Sequence, residues 1–221
     1  MIRNKSQKKA EIIETITKRI GEINRVYRSG PDLYFYKRLN FLRNHFNNII
    51  QFLNDSYNLE ILYATLVSWD MNSRAAKMKY FDDFKYNLLS CYDNFIEIEN
   101  YQNLNRDYST SAEIIRLLKK VYDKIAIMKT NNRLVSNSKL LHFLFPTLCI
   151  PMDGLNTLNY FYKYTNESKN KYLEIVDFSF EIINSIDNWA QYLDNNMNTS
   201  APKLVDNAII LLVGKSINQN N

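Results

Sequence analysis

Apolar residues recur every three or four positions along almost the whole of this chain, and nowhere does an apolar/polar alternation of period two persist long enough for a strand. A helix places residues spaced this way on one face, whereas a half-buried strand needs the period of two. The pattern predicts an all-α fold, a multi-helix globular bundle. Helices are expected over residues 6–28, 32–53, 59–69, from 81 onward, and over 112–128, 136–145, 153–164, 167–193 and 203–213. The first two are expected to form an antiparallel hairpin across Ser29-Gly30-Pro31, Gly214 to end the last, and residues 93–105 to be irregular apart from a short turn of helix over Phe95 to Ile98. The nearly all-apolar segment 136–145, opened by capping residues and closed by Pro146, is expected at the centre of the core. One domain over residues 1–221 accommodates these elements, with 93–110 as the stretch where it could divide.

Scarce residue types exclude several chemistries. The four glycines, Gly21, Gly30, Gly154 and Gly214, lie at least nine residues apart, so no dinucleotide-binding, P-loop or nucleophile-elbow motif can be written. Cys91 and Cys149 lack CxxC spacing and His45 and His142 are far apart, which argues against structural zinc; no metal or cofactor is expected. His142 between Leu141 and Phe143 reads as a hydrogen-bonded core histidine, and Cys149 between Leu148 and Ile150 as a buried thiol. The longest apolar run, Ala208 to Val213, falls far short of the roughly 20 residues of a membrane span. No membrane partner is expected, and two unpaired thiols without an apolar leader point to the cytoplasm.

Charge is uneven. Residues 1–43 hold eleven basic against four acidic groups, a net of +7, which leaves −2 for the rest of a chain whose total is +5. Such a segment can track phosphates, with Lys18, Arg19, Lys37 and Arg38 as its contacts; the competing reading is a set of solvated helix faces. Trp69 with Arg74 and Lys77 could likewise form a stacking and phosphate-binding wall, or Trp69 could simply be core.

Ser136-Asn137-Ser138-Lys139, with Asp153 fourteen residues after the lysine, places polar groups at two expected helix starts, where unpaired N–H groups favour an anion. The intervening helix and link are long enough to return Asp153 beside Lys139. A lysine and an aspartate in one pocket can perform nucleophilic or acid–base work, while Ser138 and Asp153 equally suit plain helix caps.

Residues 134–146, continuing to Pro151-Met152-Asp153, resemble a motif of uncharacterised prokaryotic helical proteins in which Ser-Lys-x-Leu leads to Pro and then Pro-x-Asp. The stretches at 65–71 and 202–209 look like further blocks of the same kind. More remotely, the Lys-then-Asp layout is similar to the helix-hairpin-helix DNA glycosylases. That resemblance implies a glycosylase-like helical architecture, DNA as partner, Lys139 as nucleophile and Asp153 as its carboxylate, with Ser136, Asn137 and Ser138 near the DNA. The chain departs from the pattern in having no glycine between Asn131 and Asn137. The alternative is a non-enzymatic all-α protein acting through protein contacts.

Overall fold

A computed structural model of the chain describes residues 1–27, 30–71, 77–102, 108–131 and 133–218. Among these residues the secondary structure is helical, and the one β feature is an isolated antiparallel bridge between Met78 and Met128.

Helix α1 (Lys5–Arg19) buries Ile12 and Ile16, then tightens into a 3₁₀ turn (Ile20–Glu22) and the short α2 (Ile23–Val26). Helix α3 (Pro31–His45) starts with proline in its first turn, where the missing N–H costs nothing. The expected 32–53 helix breaks after His45, because Asn48 turns the chain and its side chain accepts from the Gln51 N–H at 2.9 Å to start α4 (Ile49–Asn54). Asp55 does the same for α5 (Ser56–Leu66) through the Asn58 N–H, and α5 runs into a π-helical turn (Val67–Met71). Helices α6 (Phe81–Leu89) and α7 (Tyr92–Glu99) follow; the short turn expected over Phe95 to Ile98 is present as part of the longer α7, held by buried Phe95 and Ile98. Residues 100–102 of the stretch expected to be irregular form turns, and 103–105 lie outside the described residues.

Helix α8 (Tyr108–Lys124) leads to α9 (Leu134–Leu144), every residue of which is buried. A π-helical turn (Gly154–Leu158) and α10 (Asn159–Tyr162) replace the single helix expected over 153–164. Helix α11 (Lys169–Ile183) stops ten residues before its expected end, because Asn184, Ser185, Asp187 and Asn188 favour turns and Asn188 adopts φ 48°. A 3₁₀ turn (Trp189–Tyr192) then precedes α12 (Ala201–Asn218). Gly214 does not end α12; it lies inside it with helical φ.

Helix α9 is enclosed by α3, α5 and α11. The chief neighbour of α1 is α12 rather than the following helix, which corrects the expected hairpin; α3 instead lies on α5, while α11 lies on α8 and α12. One contiguous apolar core extends from Ile2 to Leu211, and apolar side chains on both sides of 93–110 belong to it. Among the described residues no helix is long and apolar enough to cross a membrane.

Candidate functional site

Polar residues inside a buried helix must find partners, and those of α9 find them on four different segments. Asn137 donates to the carbonyls of Tyr122 and Ile125, tying the end of α8 to α9. Ser138 donates to Val135 O and accepts from the Met152 N–H at 3.1 Å, which draws the 150–153 link back along the helix. Lys139 reaches the opposite way and donates from Nζ to the Trp69 carbonyl at 2.7 Å, on the first π-helical turn. His142 bonds Cys149 O.

This arrangement corrects two expectations. Helix α9 begins at Leu134, whose N–H donates to the Glu167 carboxylate, so Ser136 and Ser138 are not its caps. Ser136, Asn137 and Ser138 are all buried, and in this conformation they face neighbouring backbone rather than a nucleic acid at the surface.

Lys139 and Asp153 nevertheless line one pocket of about 230 Å³, together with Tyr27, Asp32, Trp69 and Asp206. Asp153 is a helix cap as well, its Oδ1 accepting from the Asn156 N–H at 2.6 Å and its Oδ2 from the Asn156 amide. Trp69 donates from Nε1 to Asp32 O and packs edge-on against Phe143, so its ring is at once core and pocket wall. Both π-helical turns border the pocket, through Trp69 and through the cap Asp153. Such turns concentrate at functional sites.

Beneath the pocket, Lys203 and Asp206 form a buried ion pair at 2.5 Å, with the Lys203 ammonium 5.4 Å from the centre of the Trp69 ring. Burial pushes the Asp206 carboxyl above the ordinary range; the Lys203 charge opposes that shift and the Asp153 charge adds to it. The Tyr27 phenol is held protonated by burial and by the negative charges of Asp206, Asp153 and Asp32. Three carboxylates thus line the wall against one lining cation. A phosphate is unwelcome there, whereas a neutral group that develops positive charge is stabilised. No group of three or more His, Cys, Asp or Glu side chains arranged to hold a metal occurs among the described residues.

The other expected contacts lie elsewhere. Lys18 pairs with Glu14, Arg19 pairs with Glu22, Lys37 donates to Asn196, and Arg38 covers the rings of Phe41 and Tyr57. None of them lines the pocket, and neither does exposed Lys77. Arg74 lies outside the described residues.

No protein-family model matches the chain, and neither the curated proteins nor the solved structures contain a match.

From sequence Tyr27 reads as an aromatic neighbour of the basic segment and Asp32 as a helix start; their place in this pocket, brought in from either side of the Gly30-Pro31 break, is not foreseen. Lys203 and Asp206 stand one turn apart on the last helix, which reads from sequence as a cap-like or salt-bridged pair, and they do form an ion pair.

Proposed function

We propose that this chain is a DNA-associated helical protein with glycosylase-like architecture, whose Lys139/Asp153 pocket acts on one extruded nucleotide. The observation that carries the reading is the convergence of Lys139 and Asp153, from separate elements, on one pocket beside the Trp69 ring. At about 230 Å³ the pocket is below the roughly 300–1,000 Å³ of drug-sized ligand sites, which suits a single ring and not a dinucleotide. A target base must leave the stack to be reached, and an aromatic wall receives it.

In the proposed step the Lys139 ammonium first gives up a proton to solvent, and the amine then attacks the sugar carbon that bears the base. The Nζ–C bond forms as the glycosidic bond breaks; its electron pair leaves on the base, which takes up a proton. Positive charge on the sugar is met by Asp153 and its neighbouring carboxylates. Ring opening leaves a Schiff base.

Borohydride trapping on duplexes carrying assorted lesions tests this. Wild type is expected to form a covalent adduct, Lys139→Gln to form none, and Asp153→Asn to form it at least tenfold more slowly. Trapping unaffected by either change excludes the chemistry. Absence of any adduct, with Lys139→Gln less stable and Asp153→Asn about as stable as wild type, favours the second reading, a non-enzymatic scaffold in which Asp153 only caps its helix and Lys139 only holds Trp69 O.

A further inference from the structure

A second, larger concavity lies where α1 begins. It has a volume of about 640 Å³ and is bounded by the start of α1, the segment from Tyr160 to Tyr164, and the first turn of α11. Four cations line it, Arg3, Lys8, Lys163 and Lys171, and no carboxylate does. Two acids adjoin the groove and are taken up by its wall: Glu11 accepts from the Tyr160 hydroxyl, and Glu174 accepts from the Tyr162 hydroxyl and the Ile2 N–H and pairs with the Met1 ammonium. Among the described residues neither Arg3 nor Lys163 forms an ion pair.

Aromatic faces alternate with these charges. The Lys8 ammonium sits 4.0 Å above the Tyr160 ring and the Lys171 ammonium 4.8 Å above that of Tyr162, while Tyr164 is 72% exposed. Two of the three non-glycine residues with positive φ among the described residues, Asn4 at 54° and Lys163 at 59°, are in the lining. Backbone of this kind is retained where the surrounding structure demands it, often at binding sites. Lys8 is also under electrostatic pressure: burial lowers its pKa and the Lys163 charge lowers it further, against the pull of Glu11. An anion between the two lysines relieves that repulsion.

We infer that this groove binds single-stranded nucleic acid, its backbone phosphates held by Arg3, Lys8, Lys163 and Lys171 and a base stacked on Tyr164. A concave cleft does not fit a membrane surface, and exposed rings between cations favour bases over the side chains of an acidic peptide. Lys163 follows Asp153 by ten residues along a mostly helical segment, a path of roughly 15 Å at 1.5 Å per residue. A strand in the groove can therefore present a neighbouring nucleotide to the first pocket, which itself repels phosphate. The inference takes its class of partner from the proposed function but rests on separate residues and does not require chemistry at Lys139.

The test is fluorescence anisotropy with a labelled twelve-nucleotide oligothymidine, titrated at several salt concentrations against the full chain. The variants are Arg3→Ser/Lys163→Asn, in which asparagine tolerates the positive φ, and Tyr164→Ala; Lys119→Gln, which removes an exposed cation on α8 that lines neither pocket, is the control. Wild type is expected to bind, with affinity falling as salt rises. The double charge variant is expected to bind at least tenfold more weakly with its salt slope reduced by roughly 1.4, that is, two contacts at about 0.7 each. Tyr164→Ala is expected to lose about fivefold or more with the slope unchanged. Lys119→Gln is expected to bind as wild type does. Absence of oligothymidine binding, or equal binding by both groove variants, overturns the inference; so does binding to phosphatidylserine vesicles or polyglutamate in its place. Binding with these signatures but no borohydride adduct sinks the chemistry at Lys139 and leaves the groove standing.

Discussion

His142 is neutral, and its tautomer follows from its partners. Cys149 O can only accept, so Nδ1 carries the hydrogen; Nε2 then accepts from the Tyr36 hydroxyl, which accepts in turn from Thr199. Burial, reinforced by the Lys203 charge, depresses its pKa to about 3 from an ordinary 6.5, with the Cys149 bond opposing the shift. A depressed folded-state pKa contributes stability that is present above the unfolded value and is lost as pH falls toward the folded one. Urea denaturation of wild type is therefore expected to lose about 2 kcal/mol between pH 7 and pH 5 that a His142→Gln variant does not lose. Asp153 is a residue with two separable roles. Asparagine caps as well as aspartate, so Asp153→Asn is expected to keep stability within about 0.5 kcal/mol, whereas Asp153→Ala loses about 1 kcal/mol with its Asn156 bond. A thermal scan of the two variants separates cap from charge.

At the level of elements, the junction of α3, α4, α7 and α9 depends on one ion pair. The buried Arg43 guanidinium holds Leu144 O at the end of α9 and the Glu99 carboxylate at 2.5 Å, and the other Glu99 oxygen accepts from the Ile49 N–H at the start of α4. Glu99→Ala strands a buried cation and uncaps a helix, and is expected to cost about 3 kcal/mol by chemical denaturation. Gly214→Ala is expected to stabilise by about 0.5–1 kcal/mol in the same assay, since Gly214 is exposed, helical and has nothing within 4 Å of an added Cβ. Legibility divides on similar lines. The buried faces were readable because Ile12, Ile16, Ile114, Leu118 and Val121 repeat at helical spacing, and His142 and Cys149 because apolar neighbours flank them. The breaks at Asn48 and Asn184 were not, because an asparagine side chain on a helix surface and one that turns the chain look alike until its backbone partner is known. The meeting of Lys139 with Asp153 followed from chain length, whereas Tyr27 and Asp32 entered the pocket through tertiary packing that no local pattern records. Within the basic N-terminal segment, Lys18 and Arg19 pair with nearby Glu14 and Glu22, while Arg3 and Lys8 meet cations about 160 residues away, a grouping no local pattern records.

For the whole molecule, far-UV circular dichroism is expected to show a helical spectrum with negligible sheet, since the Met78–Met128 bridge is the one β contact among the described residues. The packing of α1 on α12 bears on when this molecule can come into being. Ile12 and Ile16 are buried, and the helix that α1 lies against begins only at Ala201. During synthesis the earliest helix must wait, its greasy side uncovered, until nearly two hundred further residues have left the ribosome. Contacts that close so long a loop form slowly. The buried Lys203–Asp206 pair arrives with the same late helix, so the floor of the pocket is laid last. A nascent chain stalled before residue 201 is thus expected to be a client for chaperones and proteases rather than a smaller working protein, and pulse proteolysis of stalled chains is expected to show protection of α1 appearing only once α12 is free to dock.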